Sequence, residues 1–168
     1  HWISSGGAGT MGFGLPSAIG AQFGCPDKEV WAVCGDGGFQ MTQAELATAA
    51  IHKLKVKCQI INNNYLGMVR QWQEMFFENR LSGVDLEGNP DFVKLAQSYG
   101  IQAYRIRRPA DVDRVLARAQ AYDDGPCVVV AEVVKEDNVY PMIPAGAAVS
   151  GMLLEAPKYK LEKPTGST

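Results

Sequence analysis

Histidine is nearly missing from this chain, which has only His1 and His52. The four cysteines, Cys25, Cys34, Cys58 and Cys127, form no C-x-x-C pair. Zinc needs ligands at recognisable spacing, and none appears. Three of the cysteines sit in or beside apolar strand-like runs. That reads as buried free thiols and a reducing compartment, the cytosol or an organelle interior. An excess of one charge is also missing: 16 Lys and Arg stand against 18 Asp and Glu, a net charge of −2. No broad attraction to nucleic acid or to an anionic membrane is expected. Residues 1–26 carry no Lys, Arg, Asp or Glu, yet seven of them are glycine. That composition does not suit a membrane span, and no basic segment precedes an apolar one as in a signal peptide. No internal repeat or low-complexity run appears.

What is present is an ordinary globular balance, 46% hydrophobic and 20% charged over 168 residues, enough for a core without staples. The chain opens at His1, inside what reads as a structured segment, so it is expected to be a fragment. Short apolar runs alternate with amphipathic stretches. Val30–Cys34 and Cys58–Ile61 read as strands, Tyr104–Ile106 as a third. Cys127–Val134 is Val-rich, the kind of strand covered on both faces of a parallel sheet. Between them, Thr42–Ile51 reads as a helix opened by a Thr42/Glu45 capping box, and residues 67–78 as another. Asn89-Pro90-Asp91 is expected to open a helix with a cap and Pro at N1. That helix would bury Phe92, Leu95, Ala96 and Tyr99 and stop at Gly100. Ala110–Tyr122 would bury Val112, Val115, Leu116 and Ala119. Arg105, Arg107 and Arg108 read as a solvated strand end. The order predicts an α/β fold, an open, mostly parallel sheet with helices on both faces. Residues 1–155 are expected to form one domain, and 156–168 an extended, disordered tail.

Ligands on such sheets bind beyond the carboxyl ends of the strands. Two polar clusters fall there: Gly35-Asp36-Gly37-Gly38 and Asn62-Asn63-Asn64. Asp36 and Asn63 are 27 positions apart, about one strand–helix–strand unit. If the strands are neighbours, a carboxylate and an amide oxygen converge, and hard oxygens suit Mg²⁺. Gly37 and Gly38 allow close backbone approach to a phosphate at a helix start. A pair of plain turns is the bland alternative. A nicotinamide dinucleotide fold is the sharper one, since Gly7-Ala8-Gly9-Thr10-Met11-Gly12 matches G-x-G-x-x-G. Yet almost no strand precedes Gly7, and that reading leaves the Asn triplet without a role.

Gly-Asp-Gly, this spacer and Asn-Asn together resemble the signature of thiamine-diphosphate (ThDP) enzymes. Three further blocks, Ser4 to Pro16, Leu66-Gly67-Met68-Val69-Arg70-Gln71-Trp72 and Tyr140-Pro141-Met142-Ile143-Pro144, resemble the ThDP-binding domain of acetolactate synthases. The resemblance runs from His1 to about Lys158. It implies that Asp36, Asn63 and the carbonyl of Tyr65 ligate Mg²⁺. Gly35, Gly37 and Gly38 would lie against the cofactor's diphosphate, and Gly9 and Met11 would hold its aminopyrimidine ring. Met11 would also prop the cofactor in its bent form. Gly67 and Met68 complete the implied cofactor contacts, and Met68 and Trp72 would line the substrate channel. Trp72 matches a position where herbicides bind.

The resemblance further implies condensation of pyruvate, after decarboxylation, with pyruvate or 2-oxobutyrate, in branched-chain amino acid biosynthesis. The family's activating glutamate lies on an N-terminal pyrimidine domain, usually of a second catalytic subunit in a homodimer, and FAD sits on a middle domain. Both domains lie outside this chain. Glu45 is explained by its capping box. The isolated chain is therefore expected to be inactive, with a homodimeric partner and a regulatory subunit implied for the whole enzyme. Two alternatives stay open: another ThDP carboligase, decarboxylase or oxidase, and a non-catalytic binding or assembly module. The expected location is the cytoplasm, or a plastid or mitochondrial interior.

Overall fold

A computed structural model describes residues 1–155; the expected tail, 156–168, lies outside the described residues. Contacts divide the described residues into two compact units, one of residues 1–66 and 85–135, the other of 67–84 and 136–155.

The first unit is built on four strands: β1 (Trp31–Gly35), β2 (Lys57–Asn62), β3 (Gln102–Ile106) and β4 (Cys127–Glu132). They run parallel throughout, in the order β1-β2-β4-β3. The Val-rich segment is the central β4, and Cys127 to Val130 are at most 1% exposed. Its side chains alternate between two cores. Val128 and Val130 face Leu15, Phe39, Leu46, Ile60 and Phe92 on one side, whereas Cys127 and Val129 face Val115 and Ala119 on the other. Burial of such side chains contributes about 1.5–3 kcal/mol each. Helices therefore lie on both faces: α1 (Gly14–Gly24), α2 (Asp36–Thr42), α3 (Leu46–Ile51) and α5 (Phe92–Ser98) on one, α6 (Val112–Ala121) on the other.

Several local expectations change. The Thr42/Glu45 capping box does not form. Thr42 ends α2 and donates its hydroxyl to Gly12 O at 3.0 Å, while Glu45 accepts from Thr48 at 3.1 Å. The helix begins earlier, at Asp36, because Gly35 is extended and the chain turns directly off the strand. The cap of α5 is Asp91, whose Oδ1 accepts the Val93 and Lys94 amides at 3.0 and 3.3 Å. Asn89 does not cap it, and Pro90 precedes the helix. Helix α1 was not anticipated; its three glycines and Pro16 hide a buried stripe of Leu15, Ala18 and Ile19. Strand β4 stops two residues short of Val134, where Val133 and Val134 turn exposed.

The second unit holds α4 (Gly67–Phe76). It ends before residue 78, since Glu78 and Asn79 both take left-handed φ of 55°. Gln71 exchanges two hydrogen bonds with the Val139 backbone, at 3.0 and 2.8 Å. Arg70 reaches Glu74, the Glu136 carbonyl and Asn138. Met142 and Leu153 pair as an antiparallel bridge, and the Tyr140–Pro141 bond is cis. Among the described residues, no helix is long and apolar enough to cross a membrane.

Candidate ThDP and metal site

The two polar clusters meet at the carboxyl ends of β1 and β2. Register pairs Gly35 with Ile61, so Asp36 emerges beside Asn62. Asn64 adopts a left-handed φ of 57°, a conformation Asn tolerates better than most residues. The twist turns its amide toward Asp36, and Asn64 N–H donates to Asp36 Oδ2 at 2.8 Å. Asn63 Oδ1 accepts the Tyr65 amide at 3.1 Å. Tyr65 is held in turn by an antiparallel bridge to Asp85 and by Lys135 Nζ, 4.6 Å from its ring centre.

Asp36 is 1% exposed. Burial pushes its carboxyl above the usual range, and the donors around it, the Gly37 and Asn64 amides and the Asn89 side chain, pull it partly back. A buried carboxylate without a cationic partner is costly; a divalent cation is the natural counter-charge. Asn89 was read from sequence only as a helix cap. Its Nδ2 instead lies 2.7 Å from Asp36 Oδ2 and 3.2 Å from both Asn62 Oδ1 and Asn64 Oδ1. The available signal was Asn-Pro-Asp itself, which offers two cap-type residues for one helix start.

The glycines divide by surroundings. At Gly37 an added Cβ would stand 2.7 Å from Leu66 Cδ2, 2.9 Å from Met11 Cε and 3.2 Å from Leu86 Cδ1. The Met11 tip thus reaches the Gly-Asp-Gly turn. At Gly35 an added Cβ would meet nothing within 4 Å, and at Gly38 only Gly12 N at 3.8 Å. Packing inside the chain does not demand glycine at 35 or 38; what their small size leaves is bare backbone open to a ligand. Met11, Gly35 and Gly38 share a cavity of about 790 Å³ with Ser5, Thr10 and Gly12. Met11 is 45% exposed, so core packing does not explain it. Gly9, φ 55°, is exposed and closes the turn that begins at Gly6. Gly7–Gly12 follows no strand among the described residues and the first strand begins only at Trp31, so the dinucleotide reading loses its strand-to-helix turn.

Gly67, Met68 and Trp72 fall on α4 of the second unit. This helix buries its polar residues Arg70 and Gln71 with Met75, and turns Met68 and Val69 outward. Trp72 is half-buried, edge-on to Phe76 at 5.4 Å, and borders a shallow concavity with Val69, Gln73, Phe77 and Arg80. It is not a core side chain.

Residues 1–131 match the family described as "Thiamine pyrophosphate enzyme, C-terminal TPP binding domain". The chain belongs to this family. As a TPP-binding domain it shares 48% identity over 151 residues with an acetolactate synthase of Mycobacterium avium, covering 88% of this chain and 24% of that protein. It shares 45% over 153 residues with an acetolactate synthase large subunit of Corynebacterium glutamicum, covering 89% and 24%. The large subunit of Porphyra purpurea is 45% identical over 154 residues, covering 91% and 26%. The TPP-binding domain thus spans about a quarter of the length of these relatives.

For a Mg²⁺-diphosphate group the residues fit. One carboxylate, one side-chain amide oxygen and one backbone carbonyl, of Asp36, Asn63 and Tyr65, are hard donors of the type Mg²⁺ prefers while it keeps places for phosphate and water. The uncrowded backbone at Gly35 and Gly38 supplies the approach that a diphosphate needs.

Proposed function

We propose that this chain is the ThDP-binding part of an acetolactate synthase, and that the convergence of Asp36 with the Asn62–Tyr65 turn is where Mg²⁺ and the cofactor diphosphate are held. Asp36, Asn63 Oδ1 and the Tyr65 carbonyl would ligate Mg²⁺, and Gly35, Gly37 and Gly38 would bear on the diphosphate. The Gly9 carbonyl and Met11 amide would hold the aminopyrimidine, with the Met11 side chain beneath it. When bound, ThDP supplies the carbanion-stabilising chemistry of a 2-oxo acid decarboxylation; the chain's own residues bind and orient it. The roles of Gly67, Met68 and Trp72, as cofactor contacts and channel lining, rest on their motif and on the outward face of α4. Pyruvate and 2-oxobutyrate are the proposed substrates. FAD, the activating glutamate, a homodimeric partner and a regulatory subunit belong to the proposed whole enzyme. Its location in cytoplasm or organelle goes with that assignment.

The observation that supports the activity is the 45–48% identity to acetolactate synthases across the chain. A chimera tests it: the matching segment of the Mycobacterium avium enzyme is replaced by this chain, and acetolactate formation from pyruvate is measured. Activity within about tenfold of the parent, abolished by Asp36→Ala, is expected. A folded, ThDP-binding chimera that makes no acetolactate would sink the assignment and favour another ThDP enzyme.

A further inference from the structure

Three segments of the first unit come together on one side chain that the helix-cap role does not need. Asp91 alone caps α5, which leaves Asn89 free of that duty. Asn89 Oδ1 accepts from Gln40 Nε2 on α2. The Asp36 carboxylate only accepts, so the end of the Asn89 amide that meets it is the NH₂ group. There it makes its shortest contact, 2.7 Å, with Asp36 Oδ2, and shares its remaining hydrogen between Asn62 Oδ1 and Asn64 Oδ1 at 3.2 Å.

Asp36 Oδ2 also accepts the Asn64 amide at 2.8 Å. A carboxylate oxygen has two lone-pair sites, and these two donors fill both on Oδ2. Neither donor takes Oδ1, whose two lone-pair sites can serve the Gly37 amide and a cation together. We propose that Asn89 is a positioning residue for the metal site: by occupying Asp36 Oδ2 and tying it to the Asn62–Asn64 turn, it presents Oδ1 as the metal-binding oxygen. This role rests on the Mg²⁺ reading above. It is the arrangement by which outer partners orient a ligand, and removing such a partner typically weakens metal binding about 10–100-fold.

The test uses the full chain with Mn²⁺ as probe and ThDP present, read by paramagnetic broadening of the Gly37 and Asn64 amide signals in a titration to millimolar metal. Asp36→Ala, Asn89→Leu, Asn89→Ala and Asn89→Gln are compared with the parent, and circular dichroism and melting report the fold. Leu removes the donor at similar size and carries the test if Ala does not fold; Gln keeps the amide on a longer arm. Asn89→Leu is expected to weaken Mn²⁺ binding about 10–100-fold while ThDP binding at saturating Mn²⁺ stays near the parent's. Asn89→Gln should recover most of the affinity. A folded Asn89→Leu chain that binds Mn²⁺ as the parent does, with only a lowered melting temperature, overturns the positioning role and leaves the metal reading intact. Equal broadening in parent and Asp36→Ala, or none in the parent, overturns the metal reading and this role with it.

Discussion

At the scale of single residues, Asp36 is a buried charge held by neutral donors, and its nearest partners are amides rather than cations. Asparagine at this position can accept the same two bonds without the charge. Asp36→Asn should therefore melt at the same temperature or a few degrees higher without metal. Saturating Mg²⁺ with ThDP should raise the melting temperature of the parent only, since a ligand that binds the native state stabilises it. Equal protection of both chains would place the metal elsewhere. The glycines give a second contrast. Gly12 has φ of 90°, and an added Cβ would lie 2.8 Å from Met41 Cβ, so Gly12→Ala should cost about 2 kcal/mol or more. At Gly37 the obstructing atoms are the tips of flexible side chains. Gly37→Ala should thus fold with a small loss in chemical denaturation, yet displace Met11 and weaken ThDP binding.

At the scale of elements, the start of α6 is held by charge. Asp111, beside Arg108 and Arg114, has its carboxyl held down to about 2, chiefly by the Arg108 hydrogen bonds and then by Arg114. A lowered folded value means that the stabilisation is present above the ordinary 3.8 and fades as pH falls toward 2. Asp111→Asn should lower the melting temperature slightly at pH 7, and the gap between the two chains should close between about pH 4 and pH 2. A gap that persists at pH 2 would mean that charge is not what Asp111 contributes. Elements were legible in the sequence where one face repeats. The Val-rich β4 and the Val112/Val115/Leu116/Ala119 stripe of α6 were expected and are found. Helix α1 was not legible, because glycine and proline mask its pattern. The capping box was illegible for another reason: Thr42 answers to Gly12, 30 positions away, and local spacing cannot report a long-range partner. Asn89 belongs to the same class. The meeting of Asp36 with the Asn62–Asn64 turn was legible because the strand-end rule and the spacing of neighbouring strands bring those two segments together.

At the scale of the whole molecule, apolar residues stay exposed: Val33 in the first unit, and Met68, Val69 and Phe77 in the second. Surfaces of this kind promote association, so the purified chain should run as a dimer or larger species in sedimentation velocity. A strict monomer at high concentration would contradict that. Trp72→Leu should leave melting within a few degrees of the parent, since a half-exposed ring is not the kind of core aromatic whose truncation costs about 3–5 kcal/mol. In the active chimera it should lower sensitivity to sulfonylurea-type inhibitors. Because the chain is about a quarter of its relatives' length, it should form no acetolactate alone, and ThDP should bind it weakly, with much of the cofactor uncovered.

If Mg²⁺ and ThDP are held at the joined ends of β1 and β2, as proposed, amide chemical shifts of the ¹⁵N-labelled chain will report it during titration with both. Saturable shifts are expected at Gly35–Gly38 and Asn63–Tyr65; they should require Mg²⁺ and ThDP together and vanish in Asp36→Ala. Shifts that appear with ThDP alone, persist in Asp36→Ala, or fall elsewhere in the chain would contradict it.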